Sequence, residues 1–298
     1  MSEDKVIYSL NPNARVTLSG TVVARKSTPY QELTVFDSPV LGRMLLIGSG
    51  DCRIIQFSTR DEKYYHEAIA HSVLGAHPNP KNVLIIGGGD GGTLREVLKH
   101  PVERVVLAEL DDEVIGFSKE FFPSLSDGAF EDSRLELKIG DGRKFLEETE
   151  ERFDIVIMDL TDPEGPSTML FTKEFYTLVK SKMGEGGILS VQTGSPVFEG
   201  LIHGRVQAAL AQVFRNAIGY AAFVQSFFIV ESYVLATDSK VEGIARRLKE
   251  RNIKLEAYTP EQVEALVLQP HGHVREILSM DWEPSTDANP ADISEVRW

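Results

Sequence analysis

The sequence predicts an α/β fold, in which a small antiparallel β-sheet precedes a doubly wound, mostly parallel sheet. From Lys81 onward, short apolar runs alternate with segments of helical periodicity, which is typical of a parallel sheet with helices on both faces. Before residue 60 the chain has apolar runs separated by turn residues and no helical period. We therefore assign residues 1–60 to an N-terminal β-sheet domain. Residues 61–298 are assigned to the α/β domain with a C-terminal helical extension.

The N-terminal stretch is interpreted as an antiparallel sheet. The runs at 15–18 and 21–23 flank Ser19-Gly20, which predicts a hairpin turn at these two residues. Further strands are predicted at 33–36, 43–47 and 53–57.

The α/β domain opens with a predicted helix over 61–74, and the segment His-Pro-Asn-Pro at 77–80 ends it. Strands are predicted at 83–86, 105–108, 135–139, 155–158 and 188–191. Helices are predicted at 93–100, 112–122, 143–151 and 172–183. The runs at 222–230 and 232–236 indicate an antiparallel pair at one edge of the sheet. The charged segment 240–251 and the capping pattern from Thr259 to Gln262 predict two C-terminal helices.

Composition excludes several classes of protein. The 298 residues are 42% apolar and contain no apolar run near the ~20 residues that span a bilayer, so we expect no membrane association. The polar first residues and the single cysteine, Cys52, which excludes an internal disulfide, favour a cytoplasmic protein. The net charge of −14 disfavours nucleic acid as a partner and would suit a cationic substrate.

The histidines show no spacing typical of a zinc site. The closest cluster is His271-Gly272-His273, which has no cysteine nearby and is interpreted as a solvated loop. We therefore expect no metal.

A glycine-rich segment over 87–92 separates a predicted strand from a predicted helix, as in a nucleotide-binding turn. Gly87, Gly89 and Gly92 satisfy the G-x-G-x-x-G spacing, and Glu109 ends the next strand, where an acid can accept hydrogen bonds from ribose hydroxyls. The segment could serve a dinucleotide oxidoreductase, an enzyme of an adenosyl sulfonium, or a tight turn alone. Asp90, inside the segment, would repel a pyrophosphate and attract a cation. It therefore favours a ligand with an amine or a sulfonium.

Further acids follow the ends of predicted strands. Asp141 follows the third strand of the parallel sheet, and Asp159 and Asp162 follow the fourth. Because ligands of doubly wound sheets bind at the carboxyl ends of strands, these acids, Asp90 and Glu109 should meet in one cleft. Each acid could instead cap the next helix. Five acids around one cleft favour a binding site.

The segment 87–92, the later Asp159 and Asp162-Pro163, and the preceding Tyr65-His66-Glu67 resemble the spermidine synthase (polyamine aminopropyltransferase) family. The resemblance runs from about residue 30 to about residue 238. It implies a Rossmann-like, methyltransferase-type catalytic domain after the N-terminal sheet, and a homodimer or homotetramer. It also implies aminopropyl transfer from decarboxylated S-adenosylmethionine, a co-substrate, to an amine acceptor. Methylthioadenosine would be released, and no metal or other cofactor would take part.

The resemblance also implies roles for individual residues. The donor-binding residues would be Gln31, Gly87, Gly89, Asp90, Glu109, Asp141 and Gly142, with Glu109 on the ribose, Asp141 on the adenine amino group and Asp90 on the aminopropyl ammonium. The acceptor-binding residues would be Tyr65, His66, Asp90, Asp159, Asp162 and Gln192. Asp159 would be catalytic, as the group that receives the proton of the attacking amine.

Three departures from the family pattern concern the acceptor. His66 stands where glutamine is frequent, Ser226 replaces an acceptor-site tyrosine, and the segment 48–53 resembles a short insertion. The first two features are closer to the thermospermine synthase and agmatine or triamine aminopropyltransferase branch. They predict that spermidine, agmatine or another long amine is preferred. The alternatives are a putrescine-using spermidine synthase, an S-adenosylmethionine methyltransferase and a catalytically inactive binding protein.

Overall fold

The computed structural model describes residues 4–11, 14–48, 53–270 and 272–293. Within them the chain forms a five-stranded antiparallel sheet followed by a seven-stranded mixed sheet with helices. The predicted α/β class and the N-terminal antiparallel sheet are thus confirmed. Cys52, His271 and most of the proposed insertion at 48–53 lie outside the described residues.

The N-terminal sheet has the strand order β1-β2-β3-β4-β5. Its strands are β1 (Asp4–Asn11), β2 (Ala14–Ser27), β3 (Glu32–Ser38), β4 (Gly42–Ile47) and β5 (Ile54–Ser58). The predicted hairpin at Ser19-Gly20 is wrong, because both residues lie inside β2, where Gly20 pairs with Asp4. A Cβ on Gly20 would lie 2.1 Å from the carbonyl oxygen of Asp37. The glycine therefore serves close packing and not a turn.

Helix α1 (Glu62–Ala76) connects the two sheets and is buried along almost its whole length. It ends at Ala76, where the predicted breaker His-Pro-Asn-Pro begins, and the N–H of the capping residue His77 donates to the Val73 carbonyl. A helix that is buried on all sides presents its polar residues to the protein interior. Tyr65 and His66 therefore point into the molecule and not into solvent, with exposed fractions of 7% and 0%.

The seven-stranded sheet has the order β11-β12-β10-β9-β6-β7-β8. Its strands are β6 (Asn82–Gly87), β7 (Arg104–Glu109), β8 (Leu135–Ile139), β9 (Phe153–Asp159), β10 (Met183–Gln192), β11 (Asn216–Val224) and β12 (Ile229–Thr237). Strands β6 to β10 are parallel, and β12 and β11 join them antiparallel. The strand order reverses between β6 and β9, whose carboxyl ends pair Gly87 with Asp159. Such a switch point opens the crevice that binds ligands in this class of fold.

The remaining helices cover the sheet and extend beyond it. They are α2 (Gly92–Leu98), α3 (Asp112–Phe121), α4 (Pro123–Ser126), α5 (Gly142–Glu148), α6 (Lys173–Ser181), α7 (Gly200–Val213), α8 (Ile244–Glu250), α9 (Pro260–Leu268) and α10 (Gly272–Leu278). The predicted capping box is present, since Thr259 and Gln262 bond each other's backbone N–H at the start of α9. No described helix has the length and apolar character needed to cross a membrane.

Three details of the sequence interpretation are corrected. The run at 222–230 is not one strand but the end of β11, a turn and the start of β12, with Phe228 in the left-handed region at φ 58°. Helix α7 was not predicted from the sequence. His273 lies on α10 and not in a loop.

The seven-stranded sheet has an apolar layer on each face, because successive residues of its central strands point to opposite faces. A third apolar cluster lies between the N-terminal sheet and helices α3 and α4. Val83 and Ile85 of β6 belong to the cluster that packs around α1. Leu84 and Ile86 of the same strand belong to the second cluster, which includes residues of α6 and α7. All four are buried, so the strand that delivers the glycine segment is held on both sides.

Candidate active site

The glycine segment folds against the end of β9 because it has no side chains there. Gly87 and Gly88 have φ of +81° and +70°, which favour glycine. A Cβ on Gly87 would lie 2.2 Å from the carbonyl oxygen of Asp159, and the Gly88 N–H donates to that oxygen at 2.9 Å. Gly91, at φ 86°, precedes α2. The segment therefore brings the start of α2 beside Asp159.

Glu109 lies at the carboxyl end of β7 beside the same segment. Its Oε2 accepts a 3.0 Å hydrogen bond from the Gly89 N–H, and its Oε1 accepts one of 2.9 Å from the Asp111 N–H. Gly89 makes this approach possible, since a Cβ there would lie 2.8 Å from Oε2. Burial raises the pKa of Glu109 to about 7, although these backbone N–H groups act in the opposite direction.

Gln31 reaches this region from the N-terminal sheet through Asp111, a residue that the sequence did not single out. The Gln31 side-chain amide donates to Oδ2 of Asp111 at 3.0 Å, and the Thr28 hydroxyl donates to the same oxygen at 2.7 Å. Asp111 also caps α3 by accepting from the Glu113 N–H. Since Asp111 follows Glu109 closely, Gln31 lies at the border of the Glu109 region.

Asp141 lies where β8 turns into α5, next to the end of β7. The Gly140 N–H donates to the Glu109 carbonyl at 2.8 Å, which ties the two strand ends together. The Asp141 carboxylate caps α5 by accepting from the N–H groups of Arg143 and Lys144. Gly142 packs against Ile86, where a Cβ would come within 2.6 Å of the isoleucine side chain. Asp141 therefore acts as the cap of α5 in this structure, and its side chain is exposed.

Asp159 has both carboxylate oxygens held by hydroxyl groups. The Tyr65 hydroxyl of α1 donates to Oδ1 at 2.6 Å, and the Thr93 hydroxyl of α2 donates to Oδ2 at 2.6 Å. Burial, reinforced by the negative charge of Asp90, raises the pKa of Asp159. A raised pKa makes a carboxylate a better acceptor for the proton of an amine.

His66 forms an ion pair on each side of its ring. Its Nδ1 lies 2.7 Å from Oε2 of Glu62, and its Nε2 lies 3.5 Å from Oδ2 of Asp90. Burial opposes a charge on the ring, but Asp90 and Glu62 together raise the pKa of His66 to about 10. Asp90 itself accepts a 2.7 Å hydrogen bond from the Gly92 N–H. The two carboxylates therefore favour the imidazolium form of His66, which would partly balance Asp90.

A second group of acids surrounds Gln192, at the end of β10. The Gln192 side-chain amide donates to Oδ1 of Asp162 at 3.0 Å and to Oε1 of Glu231 at 2.9 Å. Glu199 accepts from the Ser195 N–H at 2.7 Å. Burial is the main influence on all three carboxyls and raises each pKa, that of Glu231 to about 8.

The sequence interpretation missed Glu199 and Glu231. A usable signal existed for Glu231, which is the one charged residue in the mostly apolar run of 227–236. An acid at such a position is buried and needs a functional or structural partner. Glu199 gave no comparable signal, because it lies in a loop before α7.

Aromatic residues form a wall beside these acids. Phe227 lies 6.0 Å from Tyr65 between ring centroids, and Tyr8, from β1, lies 6.2 Å from Phe228. Burial, followed by the charges of Glu231, Glu199 and Asp162, raises the pKa of Tyr8.

Ser226, which replaces an acceptor-site tyrosine of the family, is fully buried, and its hydroxyl is already hydrogen-bonded. Its N–H and hydroxyl donate to the two carboxylate oxygens of Asp61 at 2.6 and 2.7 Å. The serine therefore fixes the turn before β12 to the start of α1.

The arrangement has two parts that meet at Asp159. On one side, Glu109, Gly89 and the neighbouring strand ends can hold a ligand with hydroxyl groups. On the other, buried acids and aromatic rings can hold a cation. Among the described residues no group of three or more histidine, cysteine, aspartate or glutamate side chains is arranged to hold a metal ion.

Known proteins resemble this chain over most of its length. Residues 62–242 match the model of the spermine/spermidine synthase domain. A polyamine aminopropyltransferase of Korarchaeum cryptofilum is 39% identical over 290 residues, covering 95% of this chain and 89% of the relative. One of Nitrosomonas europaea is 35% identical over 301 residues, covering 98% and 91%.

Solved structures give the same result. Spermidine synthase from Thermotoga maritima superimposes with a TM-score of 0.82 at 30% identity and covers 93% of this chain and 95% of its own. A spermidine synthase in complex with the transition state analogue AdoDATO superimposes with a TM-score of 0.83 at 32% identity, covering 90% and 92%. The expected family and transferase class are confirmed. The chain belongs to the spermine/spermidine synthase family and is a transferase.

Proposed function

We propose that this protein transfers the aminopropyl group of decarboxylated S-adenosylmethionine to an amine acceptor and releases methylthioadenosine. The observation that carries the proposal is the position of Asp159, which Tyr65 and Thr93 hold between the glycine segment and the acid group around Gln192. A base at this border can serve a reaction between a nucleoside ligand on one side and a cation on the other.

The chemistry follows from the state of the two substrates. A free alkylamine has a pKa near ~10, so it must lose a proton to Asp159 before its nitrogen can attack. The new nitrogen–carbon bond forms as the carbon–sulfur bond breaks, and the bond pair returns to sulfur to give a neutral thioether. Because the sulfonium is already a good leaving group, alignment of amine and sulfur is the main task. No metal or additional cofactor is required by these steps.

The donor would lie along the ends of β6, β7 and β8. Glu109 would accept hydrogen bonds from the ribose hydroxyls, Asp141 would accept from the adenine amino group, and Gln31 would close this side. Asp90 would attract the aminopropyl ammonium and disfavour a donor that retains its carboxylate. The imidazolium of His66 moderates this attraction, since it already lies 3.5 Å from Asp90.

The acceptor would lie along Tyr65, Asp162 and Gln192, and we propose that it is longer than putrescine. Tyr8 and Phe228 offer apolar contact to methylene groups, at about 0.8 kcal/mol for each buried CH₂. Residue 226 is a serine that donates to Asp61, so this position offers no tyrosine hydroxyl to hold a short diamine. These features support the proposal that the protein acts like thermospermine synthase and the agmatine or triamine aminopropyltransferases. The packing of Phe227, which is only 7% exposed, favours the alternative that it is a core residue and that putrescine fits.

The test is a donor competition assay. The protein is given decarboxylated and ordinary S-adenosylmethionine with a panel of amines, and products are identified by mass spectrometry. Methylthioadenosine and an aminopropylated amine support the proposal. A methylated product from the ordinary donor identifies a methyltransferase, and no turnover of either donor identifies a binding protein. A homodimer or homotetramer is also proposed, and sedimentation tests it.

A further inference from the structure

The acid group around Gln192 contains more carboxylates than aminopropyl transfer requires. One base, Asp159, suffices for the proton, and Asp162 can orient the reacting amine. Glu199 and Glu231 have no role in those steps, yet both are at least nine-tenths buried, with exposed fractions of 7% and 3%. Buried carboxylates are rare unless they are paired.

The sequence around Glu199 makes room for its carboxylate. A Cβ on Gly194 would lie 2.1 Å from Oε2 of Glu199 and 3.1 Å from Oδ1 of Asp162. Any side chain at residue 194 would therefore displace Glu199 from Asp162. The glycine lets two carboxylates face one small space.

The charges that act on these acids are other carboxylates. Asp162 and Glu231 raise the pKa of Glu199, and Asp162 and Asp159 raise that of Glu231, in each case after burial. Gln192 connects the group to the acceptor side, because its side-chain amide donates both to Glu231 and to Asp162.

Two polar groups beside the acids lack a partner. The side-chain nitrogen of Gln192 donates to Asp162 and Glu231, and these two bonds fix the orientation of the amide. The amide oxygen, Oε1, is buried and accepts no hydrogen bond among the described residues. The hydroxyl of Tyr233, a fully buried residue near Tyr65, has none there either. The amide oxygen of Gln192 can only accept, so its missing partner is a hydrogen-bond donor. An ammonium has donors and no acceptor.

We propose that Glu199, Glu231 and Gln192 form a distal subsite that binds a second cationic nitrogen of the acceptor. This inference rests on the proposed function, and it adds the residues that would distinguish amines by their length and charge. An acceptor with one amine would leave the subsite empty. A triamine, or an amine with a guanidinium, would fill it and exchange its hydration for the carboxylate and amide oxygens of these three residues.

The test compares Glu199→Gln and Glu231→Gln by calorimetry without donor, at pH 8.5. Glutamine copies the shape of a neutral glutamic acid, so both variants should fold. We expect the Kd for spermidine to rise at least tenfold in each, with agmatine as a second long ligand. The Kd for butylamine, which has one cation, should stay within twofold. Glu185→Gln, on an exposed residue, is the matched control and should bind like the wild type.

Several outcomes would overturn the subsite. Both variants could bind spermidine like the wild type, or the wild type could fail to bind it. An equal loss for butylamine and spermidine would point to a general field and not to a subsite. If spermidine binding depends on both acids but no methylthioadenosine is ever released, the proposed function fails and the subsite stands.

Discussion

The Tyr65 hydroxyl donates a 2.6 Å hydrogen bond to Oδ1 of Asp159. The tyrosine comes from the buried helix α1 and the aspartate from the end of β9, so the bond fixes the carboxylate relative to the helix that carries His66 as well. Each carboxylate oxygen keeps a further lone pair for an incoming amine.

Asp159→Asn should lower turnover by roughly 10²–10⁴-fold, because the amide keeps the shape but accepts no proton. Tyr65→Phe should lower it less, by roughly 10-fold or more, since it removes one hydrogen bond to a charged group. Release of methylthioadenosine measures both. Donor affinity, measured by calorimetry, should hardly change. Undiminished turnover of the Asn variant at pH 7 and at high pH would reduce Asp159 to a positioning group.

Asp90 should discriminate between donors by like-charge repulsion. The decarboxylated donor should bind more tightly than S-adenosylmethionine by at least ~1–3 kcal/mol, the range for an unmatched buried polar group. Asp90→Asn should abolish most of the difference. Calorimetric titration of each donor into both proteins makes the comparison. Equal affinities in the wild type would contradict the assignment.

Donor binding should weaken in acid because of Glu109. Burial raises the pKa of this carboxyl to about 7 in the empty protein, so below pH 7 a proton must leave before it can accept two ribose hydroxyls. The donor Kd should therefore rise by up to about tenfold for each pH unit below 7. Glu109→Gln should bind weakly without this pH dependence. A wild-type Kd that is flat from pH 6 to 8 would show that Glu109 does not titrate on binding.

Acceptor preference should follow length. Catalytic efficiency should be higher for spermidine, norspermidine or agmatine than for putrescine, because longer chains bury more CH₂ groups at about 0.8 kcal/mol each. The measurement is kcat/KM across the four amines at a fixed donor concentration. An advantage of tenfold or more for putrescine would identify a spermidine synthase of the ordinary kind.

Stability should respond to Glu231. Its pKa is raised to about 8 in the folded protein, so from about pH 5 to 8 the folded state holds a proton that the unfolded chain has released. The free energy of unfolding should therefore fall as pH rises through this range. The stability that Glu231 contributes is fully present only below the pKa that this residue has in the unfolded chain. Glu109 acts in the same direction, so the informative quantity is the difference from Glu231→Gln. That variant should show a smaller fall in urea titrations, and identical slopes would refute the shift.

The sequence predicted the parts of the site that depend on topology. Gly89, Glu109 and Asp159 lie at carboxyl ends of parallel strands, and alternation of strands and helices was enough to expect them together. Tyr8, Glu199 and the contact of Ser226 with Asp61 depend on how distant elements pack, which no local pattern encodes. The wrong prediction of a hairpin at Gly20 has the same origin. A glycine is needed there because the neighbouring strand β3 packs too closely for a side chain, and not because the chain turns.

Tyr8 belongs to the first strand of the N-terminal sheet, and Glu231 belongs to the last strand that joins the larger one. The donor half, by contrast, comes mainly from one stretch of chain between β6 and α5. The proposed amine site is thus drawn from strands that are far apart in the sequence, whereas the residues of the proposed donor site are close together in it. A substitution in β1 can therefore alter the surroundings of the amine without changing a residue that holds Asp159.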